Sequence, residues 1–195
     1  MAGTTKRFNK DEVLQNALNV FWAKGYAATS MQDLVDAMSI SRGSMYDTFG
    51  NKQTLFELAF NHYCQISIDQ FKRELEKVDS PIGKLKKLLY SLVVSSLENH
   101  NNGCFANNIA IELGPHDKIY AKKIRDFWTE LEKLFEKYLE LAIQENEISS
   151  SISASDLSAL LNTLMQGLIT KSKVNMSQQQ SKKSIDHFFD MLAKG

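Results

Sequence analysis

The chain has 195 residues and a mass of 22.1 kDa, and its 23 basic and 23 acidic side chains leave a formal net charge of zero. That length supports one good core or two small ones sharing a boundary, and 43% hydrophobic with 24% charged residues excludes a disordered tail or a membrane protein. Zero net charge also argues against a generic binder of polyanions.

The apolar period is helical almost throughout. A first helix fits 10–24: Asn9 and Glu12 form a capping-box pattern, Leu14, Ala17, Leu18 and Phe21 make one stripe, and Gly25 is a C-terminal stop. Ser30 caps a short second helix from Met31, with Leu34, Val35 and Met38 buried, and Ser41 caps a third ending near Phe49. Gly50-Asn51 breaks the chain before a long helix from Lys52 into 72–77. Ser80-Pro81 opens a helix to about Asn99, because proline fits the first helical position. After a break at 100–103, a short helix over 104–113 stops at Gly114-Pro115, and a long one follows over 116–146. The linker 149–151 leads to a helix over 154–174, and after Ser177 and a glutamine run comes a last helix over 181–194. The predicted fold is all-α, with a compact three-helix unit over 1–50 and an all-helical remainder over 51–195.

The link Met38-Ser39-Ile40-Ser41 has the length of the turn in a helix-turn-helix, whose second helix enters the major groove. Met45 and Phe49, one turn apart, face the core in this arrangement. Gly43, Ser44, Tyr46 and Asp47 then face outward, with Arg42 in the first turn. Arginine forks onto guanine, serine and tyrosine hydroxyls reach phosphate, and glycine permits close approach of the backbone. Two usual signals are missing: the turn glycine is Ser39, and residues 1–62 hold six basic and six acidic side chains. Three short helices with a tight turn also suit a helical adaptor that binds another protein, so both readings stand on the residues alone.

The stretch over 8–60 carries more. It holds A-x-x-x-F-x-x-x-G-Y-x-x-T from Ala17, I-S-R-G-S-M-Y from Ile40 and F-G-N-K-Q-T-L from Phe49, and in that order it closely resembles the N-terminal domain of TetR-family transcriptional repressors. The resemblance implies a homodimer with its two reading helices in successive major grooves of a near-palindromic operator. It puts Gln32, Arg42 and Ser44 near base edges and Ser30, Ser41, Tyr46, Thr48 and Lys52 on the phosphate backbone. Asp47 departs from the aromatic residue often found there. A carboxylate repels phosphate but accepts from a cytosine amino group, so Asp47 is expected to sharpen selectivity or to do nothing, and not to add affinity.

Beyond residue 60 the resemblance is looser and rests on architecture. The last two helices are the expected dimer pieces, through Leu157, Leu160, Leu161, Leu164 and Leu168 on one and Ile185, Phe188, Phe189 and Leu192 on the other. The segment NGCFANNIAIELG resembles a subgroup with a Gly-Cys-Phe/Leu motif in its sixth helix. Cys104 there opens a helix, whose dipole favours a thiolate, and Lys171 or Lys173 is a candidate to lower its pKa further. The resemblance makes this cysteine a candidate electrophile sensor, while a free cysteine is equally at home as a small buried hydrophobe. The other effector reading is a reversibly bound apolar or aromatic molecule, walled by Phe105, Phe127, Trp128, Phe135 and Tyr90 and oriented by Asn108, Glu112 and Gln166. Cys64 reads as structural.

Catalysis finds little support. His62, His100, His116 and His187 make no metal-ligand spacing, and there is no P-loop or dinucleotide fingerprint, so neither cofactor nor metal is expected. Two cysteines are too few for a disulfide framework, the start lacks a secretory core, and no apolar run approaches the ~18 residues of a membrane helix. A cytoplasmic protein is expected. Six of 23 charges of each sign fall in 1–62 and 17 of each in 63–195, so no bulk field draws the chain to DNA. Affinity must come from a few placed contacts used twice, helped by Lys6 and Arg7 on an N-terminal arm, with weak non-specific binding and a modest salt slope.

Overall fold

A computed structural model describes residues 8–76, 80–98, 102–149, 151–174 and 177–193. Among the described residues the regular structure is helical: α1 (Lys10–Lys24), α2 (Met31–Met38), α3 (Arg42–Phe49), α4 (Lys52–Leu75), α5 (Pro81–Glu98), α6 (Phe105–Glu112), α7 (Lys118–Gln144), α8 (Ala154–Ser172) and α9 (Gln178–Ala193). The expected arm residues Lys6 and Arg7, and His100, lie outside the described residues.

The helices begin where short polar side chains satisfy the first free amides. Asn9 accepts from the Asp11 and Glu12 amides, Ser41 from Ser44, Asp117 from Ile119 and Tyr120, and Ser153 from Asp156. At α5 the first turn has two acceptors: Ser80 takes the Gly83 amide at 3.0 Å, and the Glu147 carboxylate takes the Ile82 amide at 2.8 Å. Helix α9 starts one turn before the predicted residue 181, because Ser177 caps it through the Gln180 amide and glutamine is a good helix former.

The chain divides into two compact units, Met1–Ile66 and Ser67–Gly195. The division falls inside α4, past the loop break at Gly50-Asn51, because Leu55, Phe56, Ala59 and Phe60 of α4 are buried in the first unit. There Phe56 meets Phe21 edge-on at 4.9 Å and Tyr26 at 4.8 Å, while Tyr63 takes Trp22 edge-on at 5.2 Å. Leu18, Leu34 and Met45 complete that core. In the second unit α7 packs on α8, and α5 on α7, α8 and α9, around Leu85, Phe105, Phe135, Leu161 and Ile185.

Most of the leucine and phenylalanine stripes of α8 and α9 is turned inward, with Leu164 and Phe188 half-buried. Leu157, Leu161, Leu168, Ile185, Phe189 and Leu192 are buried within this unit, against the expectation that they face a second copy. Periodicity defines a helix face and not what covers it, and α5 and α7 cover this one. Leu160, at 50% exposure, points the other way.

Candidate functional site

Helix α2 is clasped at its start. Ser30 accepts from the Asp33 amide, and the Asp33 carboxylate accepts from the Ser30 amide, a reciprocal capping box. Lys24 at the end of α1 donates to the same carboxylate at 2.7 Å. The Lys24 hydrogen bond, then those from Ser30, hold the Asp33 pKa at about 2. A depressed carboxylate pKa contributes stability above the ordinary value of 3.8, and that contribution fades as pH falls toward 2, so the clasp is intact at neutral pH.

The turn after α2 uses Ser39 at φ 53, ψ 34, the left-handed region that glycine occupies without cost. Its amide still bonds the Asp36 carbonyl at 3.2 Å. Ser39→Gly is therefore expected to raise the stability of the first unit by about 0.5–1 kcal/mol, after the larger entropy loss of glycine is counted. Thermal unfolding followed on this unit checks the sign.

Met45 and Phe49 anchor α3 inward, as their spacing predicts, and the Phe49 ring lies 6.4 Å from that of Phe8. The opposite face is open. Arg42, Gly43, Tyr46 and Asp47 are exposed, Tyr46 at 44%, and Ser44 and Thr48 are half-buried beside them. The Ser41 and Ser44 hydroxyls are 2.9 Å apart, a pair at the N-terminus of α3 where backbone amides and the helix dipole favour phosphate. Gln32, exposed on α2, donates to Asp36 at 2.7 Å and must release it to reach a base. Lys52 stands over the Tyr26 ring at 4.5 Å, held by a cation–π contact at the start of α4. The nine candidate DNA contacts thus lie on α2, α3, their N-caps and, for Lys52, the start of α4, with no buried charge among them.

The second unit separates the candidate effector residues. Phe105, Phe127 and Phe135 are buried in its core; they hold α6 and α7 in place and do not wall the cleft described next. Tyr90 donates a short hydrogen bond to Asp186, which Lys86 also pairs at 2.6 Å. Trp128 and Gln166 do meet, in a cleft of about 360 Å³ between α6, α7 and α8. Asn107 shares that cleft and is missed by the sequence reading, which favours its neighbour Asn108. Glu112, at the end of α6, is half-buried and is not in the lining.

Cys104 is the N-cap of α6 and half-buried; its side chain makes no cap bond. The preceding Gly103 has φ 69, and a Cβ there would meet the Lys173 stem at 2.8 Å, so glycine lets that stem cross the loop. The Lys173 ammonium donates to Asn108 Oδ1 at 2.8 Å, and Asn108 donates in turn to the Asn102 carbonyl at 2.9 Å. Asn108 and Lys173 are thereby tied to the loop that presents Cys104. Among the described residues, no group of three His, Cys, Asp or Glu side chains is placed to hold a metal ion, and no helix is long and apolar enough to cross a membrane.

A helix-turn-helix with an open polar reading face, followed by an all-helical second unit, defines a class of DNA-binding regulators. Comparison with known proteins identifies the class. The family "Bacterial regulatory proteins, tetR family" matches residues 13–59, and "Tetracyclin repressor-like, C-terminal domain" matches 81–188. The chain is 31% identical over 173 residues to the uncharacterized HTH-type transcriptional regulator YezE of Bacillus subtilis (strain 168), covering 86% of each chain. It is 23% identical over 180 residues to the HTH-type transcriptional repressor ComR of Escherichia coli (strain K12), covering 91% of this chain and 86% of ComR. Its fold matches the TetR-family regulator CifR, solved with a 26-bp double-strand operator, at TM-score 0.83 and 23% identity over 96% of this chain and 98% of that one. The chain belongs to the tetR family of bacterial regulatory proteins: it is a helix-turn-helix, DNA-binding transcriptional regulator and not an enzyme.

Proposed function

We propose that the chain is a cytoplasmic repressor that binds a near-palindromic operator as a homodimer and is released by a small-molecule effector. The observation that carries this reading is the α3 surface: Met45 and Phe49 lock one face, and Arg42, Ser44, Tyr46 and Asp47 occupy the other. Arg42 and Ser44, with Gln32, read base edges. Ser30, Ser41, Tyr46, Thr48 and Lys52 hold phosphates and set the register. Support for repression comes from ComR, which is named a repressor, and from CifR, which is solved on operator DNA. Family membership sets aside the adaptor reading.

Asp47 is the selective element. Asp47→Asn is expected to relax discrimination at its base pair and leave binding to other sequences equal or tighter, as repulsion of phosphate is removed. Binding to a panel of single-base operator variants checks this, and uniformly weaker binding refutes it.

The dimer reading rests on what α8 and α9 leave uncovered. Leu160 is 50%, Met191 69% and, just past α8, Val174 78% exposed, apolar side chains that the chain itself leaves open for a second copy to cover. Sedimentation of the chain with a selected duplex is expected to give two chains per duplex; one chain per duplex at saturation contradicts the dimer.

Helix α4 runs unbroken from Lys52 to Leu75, through the boundary between the units. Effector capture in the second unit reaches the reading helix through it, and two heads that no longer match one turn of B-DNA, ~34–36 Å, lose simultaneous engagement. A covalent effector is the second reading, favoured by the Lys173 stem lying across Gly103 beside Cys104. Operator release by an electrophile that Cys104→Ser abolishes supports it, and release that persists in the variant excludes it.

A further inference from the structure

Helices α2, α3 and α8 each open on a serine cap, and they differ in what stands three residues on. At α8, Ser153 accepts the Asp156 amide at 3.1 Å and gives its hydroxyl hydrogen to the Asp156 carboxylate at 2.7 Å. At α2, the Ser30 hydroxyl accepts the Asp33 amide at 3.1 Å, and the third residue on is again acidic. At α3 that position is Ser44. Its amide donates to Ser41 Oγ at 3.1 Å, and the two hydroxyl oxygens lie 2.9 Å apart. An ionised carboxylate only takes a hydrogen, whereas a serine hydroxyl can also give one.

One hydrogen lies between the Ser41 and Ser44 hydroxyls, and either residue can supply it. If Ser41 donates, its hydroxyl has no hydrogen left to offer outward. If Ser44 donates, Ser41 Oγ has both lone pairs filled, by the Ser44 amide and the Ser44 hydroxyl, and its own hydrogen points away from them. A phosphate oxygen only accepts, so a phosphate at Ser41 selects the second arrangement and gains a charge-assisted bond. The approach is open: Ser41 is exposed, and Gly43 carries no side chain, where a Cβ would stand 3.9 Å from Ser41 Oγ. In that arrangement the Ser44 hydrogen is committed to Ser41, and Ser44 Oγ presents lone pairs alone.

We infer that Ser41, once on a phosphate, fixes Ser44 as a hydrogen-bond acceptor, so that Ser44 recognises an exocyclic amino group of adenine or cytosine in the major groove and not guanine N7 or O6 or thymine O4. This deepens, and rests on, the placement of Ser41 on the backbone and Ser44 at a base edge proposed above. Ser41 becomes a positioning residue for base reading as well as a phosphate contact. With Asp47, an acceptor in either arrangement, α3 then offers two acceptors beside the single donor fork of Arg42.

The test is a cycle between protein and base, on the duplex that the full chain selects from a random pool. The base pair whose preference Ser44→Ala relaxes is altered in one half-site. Its adenine or cytosine is replaced by the analogue lacking the amino group (unsubstituted purine or the matching pyrimidinone), and separately its purine by one with carbon in place of N7. Deleting the amino group is expected to cost wild type about two- to tenfold in affinity and to cost Ser44→Ala nothing further. Carbon at N7 should cost both proteins alike. Ser41→Gly weakens binding to every duplex but keeps the helix, because glycine caps nearly as well as serine. Its thermal midpoint should stay close to the parent's, while the penalty for amino deletion disappears as the Ser44 hydrogen is freed. An N7 penalty that vanishes in Ser44→Ala makes Ser44 a donor and overturns the inference. So does an amino penalty that Ser44→Ala retains in full or that Ser41→Gly leaves unchanged. If Ser44→Ala relaxes no base pair, the base-edge placement itself fails and the inference falls with it, an outcome distinct from coupling to the wrong atom.

Discussion

Replacing Arg42 by alanine is expected to weaken operator binding by at least about thirtyfold if its fork is bidentate on guanine. One such contact is worth ~1–3 kcal/mol, and a dimer on a near-palindrome loses it twice, so the total is ~2–6 kcal/mol. The first 62 residues offer nothing to replace it, since their six basic and six acidic side chains cancel. In a strongly basic domain the loss of one arginine is diluted by the field of the others; here the placed contacts are the affinity. Arg42 is exposed on an anchored helix, so the variant should fold and unfold as the parent does. Fluorescence anisotropy on the operator, paired with thermal unfolding, separates lost contact from lost fold. Tyr46→Phe provides the graded control, removing only a hydroxyl and costing ~0.5–1.5 kcal/mol per head.

The second large effect is Phe56→Ala. This ring is fully buried where α4 joins the first unit and is shared by Phe21 at 4.9 Å and Tyr26 at 4.8 Å. Truncation of a buried phenylalanine costs ~3–5 kcal/mol. The cost falls on a unit of 66 residues, and units of that size have little stability to spare. The reading head is expected to be largely unfolded near 37 °C while the second unit, with its own core, stays folded. Hydrogen exchange should lose protection across α1 to the first half of α4 and keep it across α7 and α8. Uniform protection in both units would show that Phe56 carries far less of the first core than its contacts imply.

Much of the fold is legible because its helix starts are written in short polar side chains. Asn9, Ser30 and Ser41 each cap the helix their position predicts, and Pro81 opens α5. The inward pair Met45 and Phe49 is legible for the same local reason: one turn of spacing determines the outward face of α3. What the sequence does not display is which surface covers a stripe. Leu157, Leu161 and Leu168 have the same spacing whether they meet α7 or a second copy, and only tertiary packing decides. The effector residues fail for a related reason. Asn107 and Asn108 are adjacent and identical, but about 100° of helical rotation sends one into the cleft and the other to Lys173. The aromatic residues Phe105 and Phe127 are too well buried to wall a cleft; Trp128, larger and amphipathic, remains at its edge.

A neutral chain recognises DNA here through a few contacts on α3 used twice. Selection of bound sites from a random duplex pool tests it most directly, run with the wild-type chain and with Arg42→Ala at fixed salt. Wild type is expected to enrich one near-palindrome, with half-site centres one helical turn or a multiple apart, and Arg42→Ala to enrich nothing or lose a guanine preference in both halves. A pool that stays random with wild type, or a motif that survives Arg42→Ala unchanged, would contradict it.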